Sequence, residues 1–139
     1  TFDLNTRHSK VKLPDTNATG KVSYGSFDAV AINGGDLKVY SSPVNINRLV
    51  STNLFLNNVT DATLASVANS TVTSDSGDLE IMEVLSGANI TATFGDVTIK
   101  KVSHGLTNFT LTLNQSDGTI NLQGFGKKLN ITFKMSQQM

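Results

Sequence analysis

Two histidines are the chain's candidates for general acid or base work at neutral pH. His8 lies in the polar, basic run from Asn5 to Lys10, and His104 precedes Gly105 where a turn is expected; neither has the spacing of a metal site or a catalytic triad. Glu80 and Glu83 are the closest Glu pair, and strict alternation along a strand puts them on opposite faces. A sugar-cleaving repeat protein needs Asp, Glu and Arg clustered on one outward face, and the only arginines are Arg7 and Arg48. The run Gly124-Phe125-Gly126-Lys127-Lys128 lacks both the upstream Gly and the Ser or Thr after Lys of a phosphate loop. With no cysteine, thiol catalysis, zinc knuckles, iron–sulfur sites and disulfide scaffolds are excluded. No enzymatic activity, cofactor or metal is expected.

Asparagine offers a modification chemistry instead. Seven N-x-S/T sequons begin at Asn17, Asn58, Asn69, Asn89, Asn108, Asn114 and Asn130, against about three from chance placement of 14 Asn and 31 Ser plus Thr in 139 positions. Four of them, Asn69, Asn89, Asn108 and Asn130, are copies of one repeated motif and count as a single event. N-glycosylation is the functional expectation, and an Asn/Thr hydrogen-bonding ladder is the alternative. Asp36, Asp78, Asp96 and Asp117 form a second series. Calcium between coils would need six to eight oxygens, and only Ser74 to Asp78 offers two carboxylates in one loop, so turn capping is their expected role. The pairs Thr71/Thr73, Thr91/Thr93 and Thr110/Thr112 would make an outward hydroxyl grid, the kind that binds ice, although Thr is also simply a good exposed strand residue.

These residues sit in repeats. Gly35-Asp36-Leu37-Lys38-Val39, Gly77-Asp78-Leu79-Glu80-Ile81, Gly95-Asp96-Val97-Thr98-Ile99 and the looser Ser116-Asp117-Gly118-Thr119-Ile120 share the pattern small-Asp-apolar-x-apolar. A second pattern, N-x-T-x-T, starts at Asn69, Asn89 and Asn108 and decays at Asn130. Both recur about every 20 residues, with alternating polar and apolar positions, so one unit of short strands is reused. Such a unit cannot bury its apolar face alone and must stack. The expected fold is all-β, a β-solenoid of rungs of about 20 residues, with a β-sandwich or jelly roll as the alternative. Val72, Ile90, Ala92, Phe109, Leu111, Ile131 and Phe133 are expected inside, with Leu37, Val39, Leu79, Ile81, Val97, Ile99, Ile120 and Leu122.

Asp61 to Ala68 is ambiguous, its apolar residues fitting either helix or strand period. Phe27 to Ile32 and Ser51 to Thr60 read as degraded rungs. Residues 1–20 fall outside the repeat and are expected as an N-terminal arm or cap, with 21–139 a single all-β repeat domain.

The run from Ser76 to Leu106, SGDLEIMEVLSGANITATFGDVTIKKVSHGL, resembles the SGD-apolar-x-apolar rungs of the putative-adhesin β-solenoid domain family, and the resemblance extends over about Gly35 to Leu122. It implies the same fold, an exterior location, a structural or adhesive role and no catalytic residue.

Composition agrees with an exterior protein. Charged residues are 16%, below the roughly 25% of an ordinary soluble domain, and 17 Thr, 14 Ser and 14 Asn fill the polar quota. Eleven basic and eleven acidic residues cancel, which gives no electrostatic reason to expect nucleic acid or an anionic membrane. Lys100, Lys101, Lys127 and Lys128 read as solubilising charges. No apolar run approaches the 18 residues of a membrane helix. The chain starts at Thr1, as a mature product would after removal of a secretion signal, or as a cut made elsewhere would. The expectation is a non-enzymatic extracellular or cell-surface protein, structural or adhesive and N-glycosylated, associating with itself, with other surface proteins or with glycans. The alternative is a filament subunit in which the N-terminal arm donates a strand to its neighbour.

Overall fold

A computed structural model describes residues 2–103, 109–120 and 133–136. Among these there are thirteen strands and no helix. They are β1 (Phe2–Arg7), β2 (Lys10–Thr16), β3 (Ala18–Ser23), β4 (Ser26–Tyr40), β5 (Val44–Asn57), β6 (Ala62–Ala68), β7 (Thr71–Asp75), β8 (Leu79–Val84), β9 (Ala88–Thr93), β10 (Asp96–Ile99), β11 (Phe109–Asn114), β12 (Asp117–Ile120) and β13 (Phe133–Ser136).

Every pairing is parallel. Parallel neighbours need a crossover between them, and here each crossover is itself a strand of the opposite wall. One wall stacks β1, β3, the second half of β4, the second half of β5, β7, β9, β11 and β13. The other stacks β2, the first halves of β4 and β5, then β6, β8, β10 and β12. The fold is a β-solenoid of about seven turns.

The inward residues form columns along the stack. Leu37, Leu54, Val72, Ile90 and Leu111 make one on the first wall, and Ile46, Leu64, Ile81 and Ile99 make one on the second. All nine are buried. Residues expected inside at Ile131 and Leu122 lie outside the described residues, as do the side chains of Ile120 and Phe133.

β1 pairs with β3 and β2 with β4, so residues 2–17 stack as the first coil. The coil is not uniformly 20 residues long. It is 16 at the start (Phe2 to Ala18), 17 or 18 through the middle (Phe27 to Val44, Asn53 to Thr71), and 21 or 22 at the end (Ala88 to Phe109, Leu111 to Phe133). Consequently the N-x-T-x-T copies are out of step by two residues, and Asn89 lies beside Thr71 and Thr110 rather than Asn69 and Asn108. A slip of two keeps every side chain on its face, which is why the inward set survives.

The ambiguous segment Asp61 to Ala68 is mostly β6. Its buried residues, Ala62, Leu64 and Val67, are spaced two and then three. The same break recurs in neighbouring coils, where Asn47/Arg48, Ala65/Ser66, Met82/Glu83 and Lys100/Lys101 are pairs of successive non-buried residues. A strand with one residue extra per coil imitates a helical period locally.

Candidate interaction surface

Each coil turns after the first wall on one residue in the left-handed region: His8, Tyr24, Ser41, Asn58, Ser76, Phe94 and Gln115, with φ between 50° and 60°. That conformation costs an ordinary L-residue about 1–2 kcal/mol. It is held because the turn's N–H groups find acceptors on the next coil. His8 donates to Ser23 O, Tyr24 to Tyr40 O, Ser41 to Asn57 O, Asn58 to Asp75 O, Ser76 to Thr93 O and Phe94 to Asn114 O, at 2.8–3.1 Å. The turn throws its side chain outward, and Tyr24 and Phe94 stand 54% and 59% exposed.

Beside this column over the first four coils lies the one gathering of aromatic rings among the described residues. His8 and Tyr24 stack with centroids 5.4 Å apart and planes 18° from parallel. The Arg7 guanidinium lies 5.7 Å from the Tyr24 ring centre and Lys21 Nζ 5.0 Å from that of Tyr40. Tyr40 meets Phe55 edge to face at 6.0 Å. Exposed cation–ring contacts of this kind contribute about 0.5–1 kcal/mol each and hold long basic side chains in one orientation. Asn5, Thr6, Arg7, Lys21, Ser23, Tyr24 and Tyr40 enclose a shallow recess of about 350 Å³.

Alternation and repeat spacing alone do not assemble this surface. Its residues are 16 or 17 apart, one coil, and only the register of Asn5 with Lys21 and of Lys21 with Lys38 brings them into line. The signal available was the run Arg7-His8 together with Tyr24 and Tyr40, once a 16-residue first coil is allowed.

The expected site residues scatter. Asn17, Asn58 and Asn69 are exposed at coil corners, Asn89 is exposed within β9, and Asn114 is half-buried at the end of β11; Asn108 and Asn130 lie outside the described residues. The acidic series is regrouped. Asp78, Asp96 and Asp117 share one column of the second wall, where Asp78 carboxylate accepts the Asp96 N–H at 3.0 Å. Asp36 sits on the opposite wall beside Asn53, because 42 residues is about two and a half of the shorter coils. Asp61 precedes Ala62 in the register of Leu79 and so takes the fourth place in the ladder. No group of three or more His, Asp or Glu among the described residues is placed to hold a metal ion. The hydroxyl grid reduces to one column, Thr73, Thr91 and Thr112, since Asn89 interrupts the next column and Asp75 and Asn114 flank Thr93.

Glu80 and Glu83 do not point to opposite faces. Both reach solvent across the strand's break and pair with Lys100 (3.1 Å) and Lys101 (3.7 Å). Of the basic candidates, His104, Lys127 and Lys128 lie outside the described residues. No helix among the described residues is long and apolar enough to cross a membrane.

None of the protein-family descriptions, curated proteins or solved structures compared with the chain matches it.

Proposed function

We propose that the chain is a non-enzymatic, surface-exposed adhesive protein whose contact surface is the N-terminal part of the first wall. The observation that carries this is the clustering of His8, Tyr24, Tyr40 and Phe55 with Arg7 and Lys21 on the outside of a continuous hydrogen-bonded wall. Exposed rings on rigid backbone lose little conformational entropy on contact, which is what a binding surface needs. The low charge content and the exposed sequons fit an extracellular or cell-surface location with N-linked sugars on the corners. The resemblance of Ser76 to Leu106 to adhesin rungs supports the same role.

The test is adhesion of beads coated with the 139-residue chain to a panel of cell surfaces and immobilised glycans, comparing wild type with the double variant Tyr24→Ala/Tyr40→Ala. Loss of adhesion with unchanged circular dichroism supports the reading. Equal adhesion overturns it.

Filament formation is the second reading. Among the described residues β1 and β2 have a strand neighbour on one side only, and an open edge can recruit another chain. Because β1 is already bonded to β3, a strand-donating filament would have to release it, and stacking of whole coils would not.

A further inference from the structure

We infer that the recess between Arg7 and Lys21 binds a sulfate or carboxylate group carried on an acidic polysaccharide. This rests on the reading of the N-terminal wall as the contact surface and adds the class of ligand.

The lining carries donors and no carboxylate. Arg7 and Lys21 supply positive charge, Asn5 an amide, and Ser23, Tyr24 and Tyr40 hydroxyls. Three other cations are already engaged: Arg48 with Asp15, Lys100 with Glu80 and Lys101 with Glu83. Among the described residues neither Arg7 nor Lys21 belongs to an ion pair; their neighbours are rings, which orient the charge without neutralising it. Charge-assisted hydrogen bonds from Arg and Lys are the strong class of contact to an oxyanion. On the opposite wall a recess is lined by Asp61, Asp78, Glu80 and Asp96, which repel the same ligand.

Register argues for a polymer rather than a lone anion. Lys21 and Lys38 are direct partners in the ladder, so positive charge repeats along the axis at the strand spacing of about 4.8 Å. Tyr40 and Phe55 continue that path with apolar ring surface suited to the carbon face of a sugar. The outward residues Asp3 and Asp36 flank the basic column two positions away on the same strands. Their charge opposes a strand with a phosphate on every residue and tolerates a saccharide of lower charge density.

Isothermal titration of the 139-residue chain with a sulfated oligosaccharide, a uronic acid oligosaccharide, a neutral oligosaccharide of equal length, inorganic sulfate and a single-stranded oligonucleotide tests this. At least one acidic saccharide is expected to bind about tenfold or more tightly than the neutral one, the oligonucleotide and free sulfate. Arg7→Gln/Lys21→Gln is expected to lower that affinity at least about tenfold, with Lys101→Gln unchanged. Unchanged affinity in the double variant overturns the site. Equal binding of the neutral saccharide, the oligonucleotide or free sulfate overturns the ligand class. Adhesion that needs Tyr24 and Tyr40 but ignores an acidic saccharide competitor overturns this inference alone, whereas adhesion indifferent to both tyrosines overturns the adhesive reading itself.

Discussion

The backbone N–H of Thr52 donates to Ser70 Oγ at 3.1 Å, one coil along the stack. Ser70 in turn donates to Ala68 O at 2.8 Å, two residues back. The arrangement recurs at three other corners: Thr52 accepts from Gly34 N and donates to Val50 O, Ser42 accepts from Gly25 N and donates to Tyr40 O, and Ser116 accepts from Gly95 N and donates to Asn114 O. Each hydroxyl closes its own turn and satisfies an amide of the preceding coil, so polar atoms at 1–9% exposure are paired at both ends.

Ser70→Ala is therefore expected to leave the Thr52 amide buried and unpaired and to destabilise the fold by about 1–3 kcal/mol. Ser70→Thr, which keeps the hydroxyl, is expected to stay within about 1 kcal/mol of wild type. Urea unfolding followed by circular dichroism distinguishes them; equal midpoints for the two variants would show that the bond contributes nothing.

Gly95→Ala is expected to be severe. A Cβ there runs into the backbone carbonyl of Gly77 on the preceding coil, at the corner between β7 and β8. A loss of about 3 kcal/mol or more follows, in the range of overpacking against fixed atoms. At Gly118 the nearest obstacle is a Leu113 methyl, so Gly118→Ala is expected to cost about 1 kcal/mol. Thermal melts of both variants decide, and a reversed order contradicts the packing described.

Phe94→Asn is expected to stabilise. Phe94 is exposed and holds φ at 56°, a conformation that Asn adopts more readily than an aromatic residue. The gain is about 0.5–1 kcal/mol, read as a higher melting temperature.

Sequon occupancy follows the environment of the hydroxyl residue. Asn58 and Thr60 are both exposed, whereas Asn114 is half-buried and its partner Ser116 is buried with its hydroxyl engaged to Gly95 N and Asn114 O. After expression in a secreting eukaryotic host, glycopeptide mapping is expected to find Asn58 more fully occupied than Asn114. The opposite order would mean that occupancy is set before this fold forms.

The fold class was legible because alternation is a local signal. Leu79/Ile81 and Ile90/Ala92 place themselves inside whatever the coil length, since faces depend only on odd and even positions. Coil length is not local. The Asn spacings of 20 and 19 differ from true coils of 18 and 21 because the corners absorb two residues either way. Asp36 falls on the other wall for the same reason, and the pairing of the first coil shows only when Phe27 and Ala29 are set beside Val11 and Leu13. The candidate surface was illegible because it depends wholly on that count: a one-residue error in the first coil separates Arg7 from Tyr24, and one in the second separates Lys21 from Tyr40.

One property of the stack bears on mechanics. Hydrogen bonds between coils run along the axis, and each coil holds only its neighbours. Tension applied across the two ends passes through all the ladders in series, so they open one after another instead of together. Each coil of about 18 residues that peels away releases up to about 60 Å of slack. Pulled from its two ends, such a stack yields in steps and turns the load into extension.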